Sequence, residues 1–289
     1  MPHAFPASAQ PACPPAGYSV DQLLDLKTHG FAMADTAART SLALALPACL
    51  GDPRPELRDG VAFEAFSTWM RGNQLDHASL RTLRDGLQRN LAGPDPDGFR
   101  APFSSLVLAE IARTDRIGPW LTQPERENLV DVAARYLSGI TDYRAFTDRE
   151  GWRHGVAHGA DLILQLALNP ALSQPQLERL LAALATQVAP AHTVGYQAGE
   201  SDRLARPVLF IARRGLLSEA DWSTWFTRLM RPDPLTSWAA AFQSEAGIVR
   251  RHNMRAFLLS LYAGGREADE AGIRAMMPAL RRSLDVLSP

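Results

Sequence analysis

Lysine is almost absent. Lys27 is the only one, so nearly all positive charge is arginine. Lys+Arg number 30 and Asp+Glu 31, a formal net charge of −1. That balance argues against the basic surface of a nucleic-acid binder and against a polybasic membrane anchor. Long apolar runs are missing as well, so no transmembrane span is expected. The chain has no phosphate-binding glycine loop, no nucleophile elbow and no zinc-type cysteine cluster, which removes the readings those motifs carry.

Cysteine is scarce. The two present, Cys13 and Cys49, both fall in the N-terminal fifth. An even number fits one disulfide in an oxidising compartment; two free thiols in a cytoplasmic protein is the other reading. The opening "MPHAFPASAQPA" lacks the charged start and apolar middle of a signal peptide. Its "ASA" run is nevertheless of the kind found at signal cleavage sites, as a start further upstream would explain. The expectation is a Cys13–Cys49 disulfide in a periplasmic or secreted protein, and otherwise a cytoplasmic one.

Sustained two-residue alternation is lacking, so no strand is expected. What the chain does have is helix. "SVDQLLDLKTHG" offers Ser19 as N-cap and ends at Gly30. "DTAARTSLALALPACLG" follows, kinked or ended by Pro47. Apolar residues recur at helical spacing in "ELRDGVAFEAFSTWMRG" and "DHASLRTLRDGLQRNLAG", and "GPDPDGFRAP" is a loop. Helical segments then follow in pairs: 103–115 with 123–139, 150–168 with 173–190, 198–214 with 218–230, and 237–263 with 269–287. Such a series reads as an all-α fold of antiparallel helix pairs stacked in a HEAT-like α–α superhelix; a compact helical bundle is the alternative. Residues 1–17, rich in Pro and Ala, are expected to form a flexible arm, and residues 18–289 one domain.

The polar candidate is "GWRHGVAHGAD" at 151–161. On a helix, His154, His158 and Asp161 share one face, beside a bare stripe at Gly155 and Gly159. Each helical glycine costs about 1 kcal/mol against alanine, which close approach by a backbone or ligand would offset. Three readings stand. Two histidines four apart can bind a divalent transition metal such as zinc, with Asp161 as third ligand; the metalloprotease Glu after the first His is Gly155 here. The row can be an acid–base or ligand site without metal. It can also be a structural network. "YQAGESDRLARP" adds Glu200, Asp202 and Arg203, and Glu200 could face either histidine as ligand or support. A helix-start acid complementing the dipole is the plainer reading.

"GWRHGVAHGADL" resembles a bacterial domain-of-unknown-function family, number 2785, whose members carry a Gly-Trp, His, Ala-His, Ala-Asp-Leu signature. The resemblance extends through "LRDGVAFEAFSTW", "PFSSLVLAEI", "GESDRLARPVL" and "NMRAFLLSLY", most of residues 55–263. This chain departs from it at Arg100–Ser104 and in having only the short "TDREG" before Gly-Trp. The resemblance implies an all-α fold and attention to His154, His158 and Asp161; it implies no activity. The expected function is a binding or interaction scaffold with a polar groove formed by Trp152, His154, His158, Asp161 and Arg203, for an unknown protein or small-molecule ligand. The alternative is a metal-assisted hydrolase with the same ligands and Glu200 as general base.

Overall fold

In the computed structural model, residues 12–288 are described. The first eleven residues of the expected arm lie outside them. Residues 12–17 run against the domain, with Pro15 buried and Cys13 joined to Cys49 in a disulfide.

Among the described residues the fold is all-α apart from one small hairpin. Its helices are α1 (Val20–Thr28), α2 (Thr36–Ala45), the single turn α3 (Pro55–Leu57), α4 (Glu64–Arg71), α5 (His77–Ala92), α6 (Arg100–Ile117), α7 (Gln123–Ser138), α8 (Gly155–Ala167), α9 (Gln174–Val188), α10 (Glu200–Arg213), α11 (Glu219–Leu229), α12 (Glu245–Gly265) and α13 (Ala271–Val286). Helix starts follow local chemistry. Ser19, Thr122, Ser173 and Ser218 each form a capping box with the residue three positions on, satisfying helix-end N–H groups that would otherwise lack partners. Pro47 turns the end of α2 into a 3₁₀ segment, Leu46–Gly51. Between α3 and α4 the backbone widens to a π-helix over Arg58–Phe63.

Two layers result. Helices α6, α8, α10 and α12 pack in series, each on the next. In the second layer α7 lies on α9, and α11 on α13. Helix α6 is enclosed by α4, α5 and α8 and buries residues on most of its surface, from Pro102 to Asp115. Side chains from later helices cap the C-terminal carbonyls of earlier ones. Gln187 Nε2 donates to the carbonyls of Leu137 (2.8 Å) and Ile140 (3.3 Å) at the end of α7. Arg214 donates to Ala167 (3.2 Å) and Asn169 (2.8 Å) at the end of α8. Arg250 donates to Ala189 just past α9. These bonds meet carbonyls that have no partner within their own helix.

Two expectations need correction. Residues 146–152 form a hairpin of β1 (Phe146–Thr147) and β2 (Gly151–Trp152), with Phe146 opposite Trp152 and Thr147 opposite Gly151. Strands of two residues are too short to show alternation. The helix expected over 150–168 therefore begins only at Gly155. Likewise 237–263 is not one helix: a 3₁₀ turn, Ala239–Gln243, precedes α12, which Ser244 caps.

Candidate functional site

The site grows from the junction of β2 and α8. Gly151 takes a left-handed φ of 70°, which glycine alone adopts without strain, and this lets the hairpin close. The Arg153 and His154 N–H groups donate to the carbonyls of Ala145 (2.8 Å) and Arg144 (3.3 Å). His154 itself is left-handed, at φ 54°, and is the residue just before α8. A non-glycine residue there carries about 1 kcal/mol of strain, which the surroundings must hold in place.

What holds it is a pair of arginines. Arg58, in the π-helical segment, is fully buried. Its five N–H donors are all used: on both Asp59 carboxylate oxygens, on the carbonyls of Asp52 and Pro53, and on that of Glu150 at 2.8 Å. Arg153 donates to the Asp97 carbonyl (2.7 Å) and to Glu150 Oε2 (3.1 Å). Both guanidinium carbons lie 4.1 Å from the centroid of the Phe99 ring. The ring is thus gripped by two cations, and the hairpin base is fixed to the π-helical segment and to the α5–α6 loop. Asp95 shapes that loop by accepting from the N–H groups of Gly98, Phe99 and Ala101.

The expected row of three is not assembled as a unit. His154 and His158 do meet, with ring centroids 5.8 Å apart. Asp161 does not join them. Its carboxylate takes a two-pronged ion pair from Arg203 of α10, Nε to Oδ1 at 3.0 Å and Nη2 to Oδ2. Glu200 stands nearer: its Oε1 is 3.7 Å from His154 Nε2, too far for a hydrogen bond, while Oε2 accepts from the Ala198 N–H at 2.9 Å. Among the described residues, no three His, Cys, Asp or Glu side chains are placed to hold a metal ion. His154, His158 and Asp161 are thus not brought to one point: α8 starts one residue after His154, and the Arg203 guanidinium pairs with Asp161.

Both imidazoles are buried, and each keeps one buried ring nitrogen without a hydrogen-bond partner, Nε2 of His154 and Nδ1 of His158. Burial lowers the His154 pKa; the Glu200 carboxylate opposes this and the Arg203 guanidinium reinforces it. His158, edge-on to Phe103 at 5.0 Å, is pushed down to about 3, first by burial and then by His154 and Arg203. Asp161 is pushed up by burial, which outweighs the pull of Arg203. Both histidine shifts favour the uncharged imidazole. The cleft against His154, bounded also by Tyr143, Arg144, Val156, Tyr196 and Glu200, is too narrow for a water-sized sphere.

Over this buried set sits an exposed one. Trp152, 40% exposed, stacks on His154, and Phe146, 51% exposed, tilts against Trp152 with centroids 4.8 Å apart. The glycine stripe does not meet the histidines. It faces α7: a Cβ on Gly159 would lie 3.0 Å from Leu137 Cδ1, whereas one on Gly155 would make ordinary contacts at 3.6 Å and beyond. The sequence reading missed Arg58, Phe99, Tyr143 and Tyr196. Asn253 is buried, accepts from the Tyr196 N–H (3.0 Å) and donates to the Val194 carbonyl (2.7 Å), so it fixes the loop before Glu200.

Residues 88–263 match the family described as "Protein of unknown function (DUF2785)". The chain belongs to that family. The DUF2785 segment contains the hairpin, both histidines, Asp161, Glu200 and Arg203, but not Arg58. No curated protein and no solved structure matches the chain. Among the described residues, no helix is long and apolar enough to cross a membrane.

Proposed function

We propose that this DUF2785 protein is a binding module whose recognition surface is the Phe146–Trp152 aromatic pair. The observation that carries the reading is that pair's exposure on a hairpin pinned by Arg58 and Arg153. Two large rings in water are costly unless something covers them, and holding them rigid lowers the entropy lost on binding. The buried His154, His158 and Glu200 support the platform from beneath, and Arg203 with Asp161 ties α10 to α8 behind it. The serial packing of helix pairs supports a HEAT-like scaffold, and the Cys13–Cys49 disulfide supports work in an oxidising compartment such as the periplasm. The partner is a protein or small molecule offering a flat or apolar group. A photo-crosslinking residue at position 152, introduced in the native cell, is expected to give one discrete adduct that the same residue at exposed Leu216 does not. Identical patterns from both positions would sink the reading.

A second reading has one observation in its favour. The unpartnered ring nitrogens of His154 and His158 would suit a divalent metal such as zinc, with Asp161 or Glu200 completing the set, and hence a metal-assisted hydrolase in which the remaining carboxylate is the base. It requires Asp161 to leave Arg203 or Glu200 to move in. Elemental analysis of untagged parent and His158→Ala protein decides: near-stoichiometric metal lost in the variant favours the hydrolase, and no metal in either favours the binding module.

A further inference from the structure

A large cavity lies away from the hairpin. Helices α9 and α11 stand apart where their neighbours pack closely, and the gap between them is a cleft of about 690 Å³. That is within the size range of small-molecule sites. Its middle is apolar, lined by Leu181, Ala182 and Ala185 of α9 and by Trp225 and Leu229 of α11. The small alanines leave the room, and the Trp225 indole is locked by donating to the Leu181 carbonyl at 3.2 Å.

The two ends differ. At the N-terminal end the acids Glu178 and Asp221 already have work: Glu178 accepts from Gln174, and Asp221 closes the capping box of α11. At the other end stand three cations, Arg228, Arg231 and Arg250, and one acid, Asp233. None of these three makes an ion pair with a carboxylate among the described residues. Arg250 is the most telling. Its Nη1 is committed to the Ala189 carbonyl, while its Nε is buried with no acceptor. That leaves Nη2, which makes no hydrogen bond among the described residues, to donate to a carboxylate oxygen from the cleft. Burial also lowers the Arg250 pKa, with Asp233 opposing from beyond contact distance, so an anion there would relieve a desolvated cation.

We propose that the α9–α11 cleft binds an elongated amphiphile with one carboxylate, of the fatty-acid class. The chain lies along the alanines and Trp225, and the carboxylate sits on Arg250, with Arg228 and Arg231 adding positive potential at the mouth.

Sodium dodecanoate, used below its aggregation concentration, is the probe. Calorimetry is expected to show saturable one-to-one binding, accompanied by a change in tryptophan fluorescence. Arg250→Gln is expected to weaken binding about tenfold or more, the loss typical of a charge-assisted hydrogen bond. Because Arg250 also caps α9, Arg228→Gln serves as a second variant at an exposed position and is expected to weaken binding more modestly. Ala185→Trp fills the cleft and is expected to abolish binding while the melting temperature is retained. Dodecyltrimethylammonium binding as tightly as dodecanoate would overturn the carboxylate assignment. Absence of saturable binding, or undiminished binding by folded Ala185→Trp protein, would overturn the site.

Discussion

The indole of Trp152 lies 4.7 Å from the imidazole of His154, with the two planes 22° apart. An exposed ring thus roofs a buried titratable one. Removing the roof admits water, and burial is the main cause holding the His154 pKa down. In Trp152→Ala the His154 pKa is therefore expected to rise toward its ordinary 6.5. Imidazole resonances followed by NMR across pH 4–8 measure it. An unshifted midpoint would mean that the indole shields nothing.

His158 gives the fold a pH dependence with a definite sign. Its pKa is about 3 when folded, against an ordinary value of 6.5. The unfolded chain takes up the proton first. The contribution is complete above pH 6.5, lost progressively as pH falls toward 3, and changes no further below that. Across that window each pH unit removes at most about 1.4 kcal/mol. Urea unfolding at pH 7 and pH 5 is expected to show a smaller loss for His158→Phe than for the parent, by about 1–2 kcal/mol. Equal losses would show that His158 protonates freely in the folded state.

The Asp161–Arg203 pair is partly open to solvent, with side-chain exposures of 17% and 35%. Screening discounts it, so a double-mutant cycle with Asp161→Asn and Arg203→Gln is expected to return a coupling of about 1 kcal/mol, weakening with added salt. Zero coupling at low salt would remove the pair as the tie between α8 and α10.

Arg58 has no such discount. Lysine brings three donors to a place that uses five, and it cannot lie flat on Phe99 and Phe103. Arg58→Lys is expected to cost about 3–5 kcal/mol, as for a broken buried ion pair, read by chemical denaturation. A cost below about 1 kcal/mol would show that the site adapts with water.

The helices were legible because their signals are local. Ser19, Thr122, Ser173 and Ser218 announce helix starts within four residues, and Pro47 announces an end. His154 was misread for the same reason. Its spacing from His158 fits a helix, but the bonds that keep it out of α8 come from Arg144 and Ala145 across the hairpin. The partner of Asp161 is 42 residues away, and Arg58 reaches Glu150 across 92. In sequence an arginine that organises a core looks like one on a surface, because only the tertiary fold says which carbonyls lie nearby. The placement of Glu200 opposite His154 followed from stacking neighbouring pairs, whereas its loop is set by Asn253, from a helix still further on.

Arg58 lies thirty residues before the segment that DUF2785 matches, yet it holds the turn from which Trp152 projects. A chain trimmed to residues 88–263 would retain both histidines and both exposed rings while stripping the Glu150 carbonyl of its donor and one cation from Phe99. The stretch that family comparison recognises therefore leaves out a residue that holds its hairpin. Domain transplants cut at the family boundary would carry the platform but not its anchor.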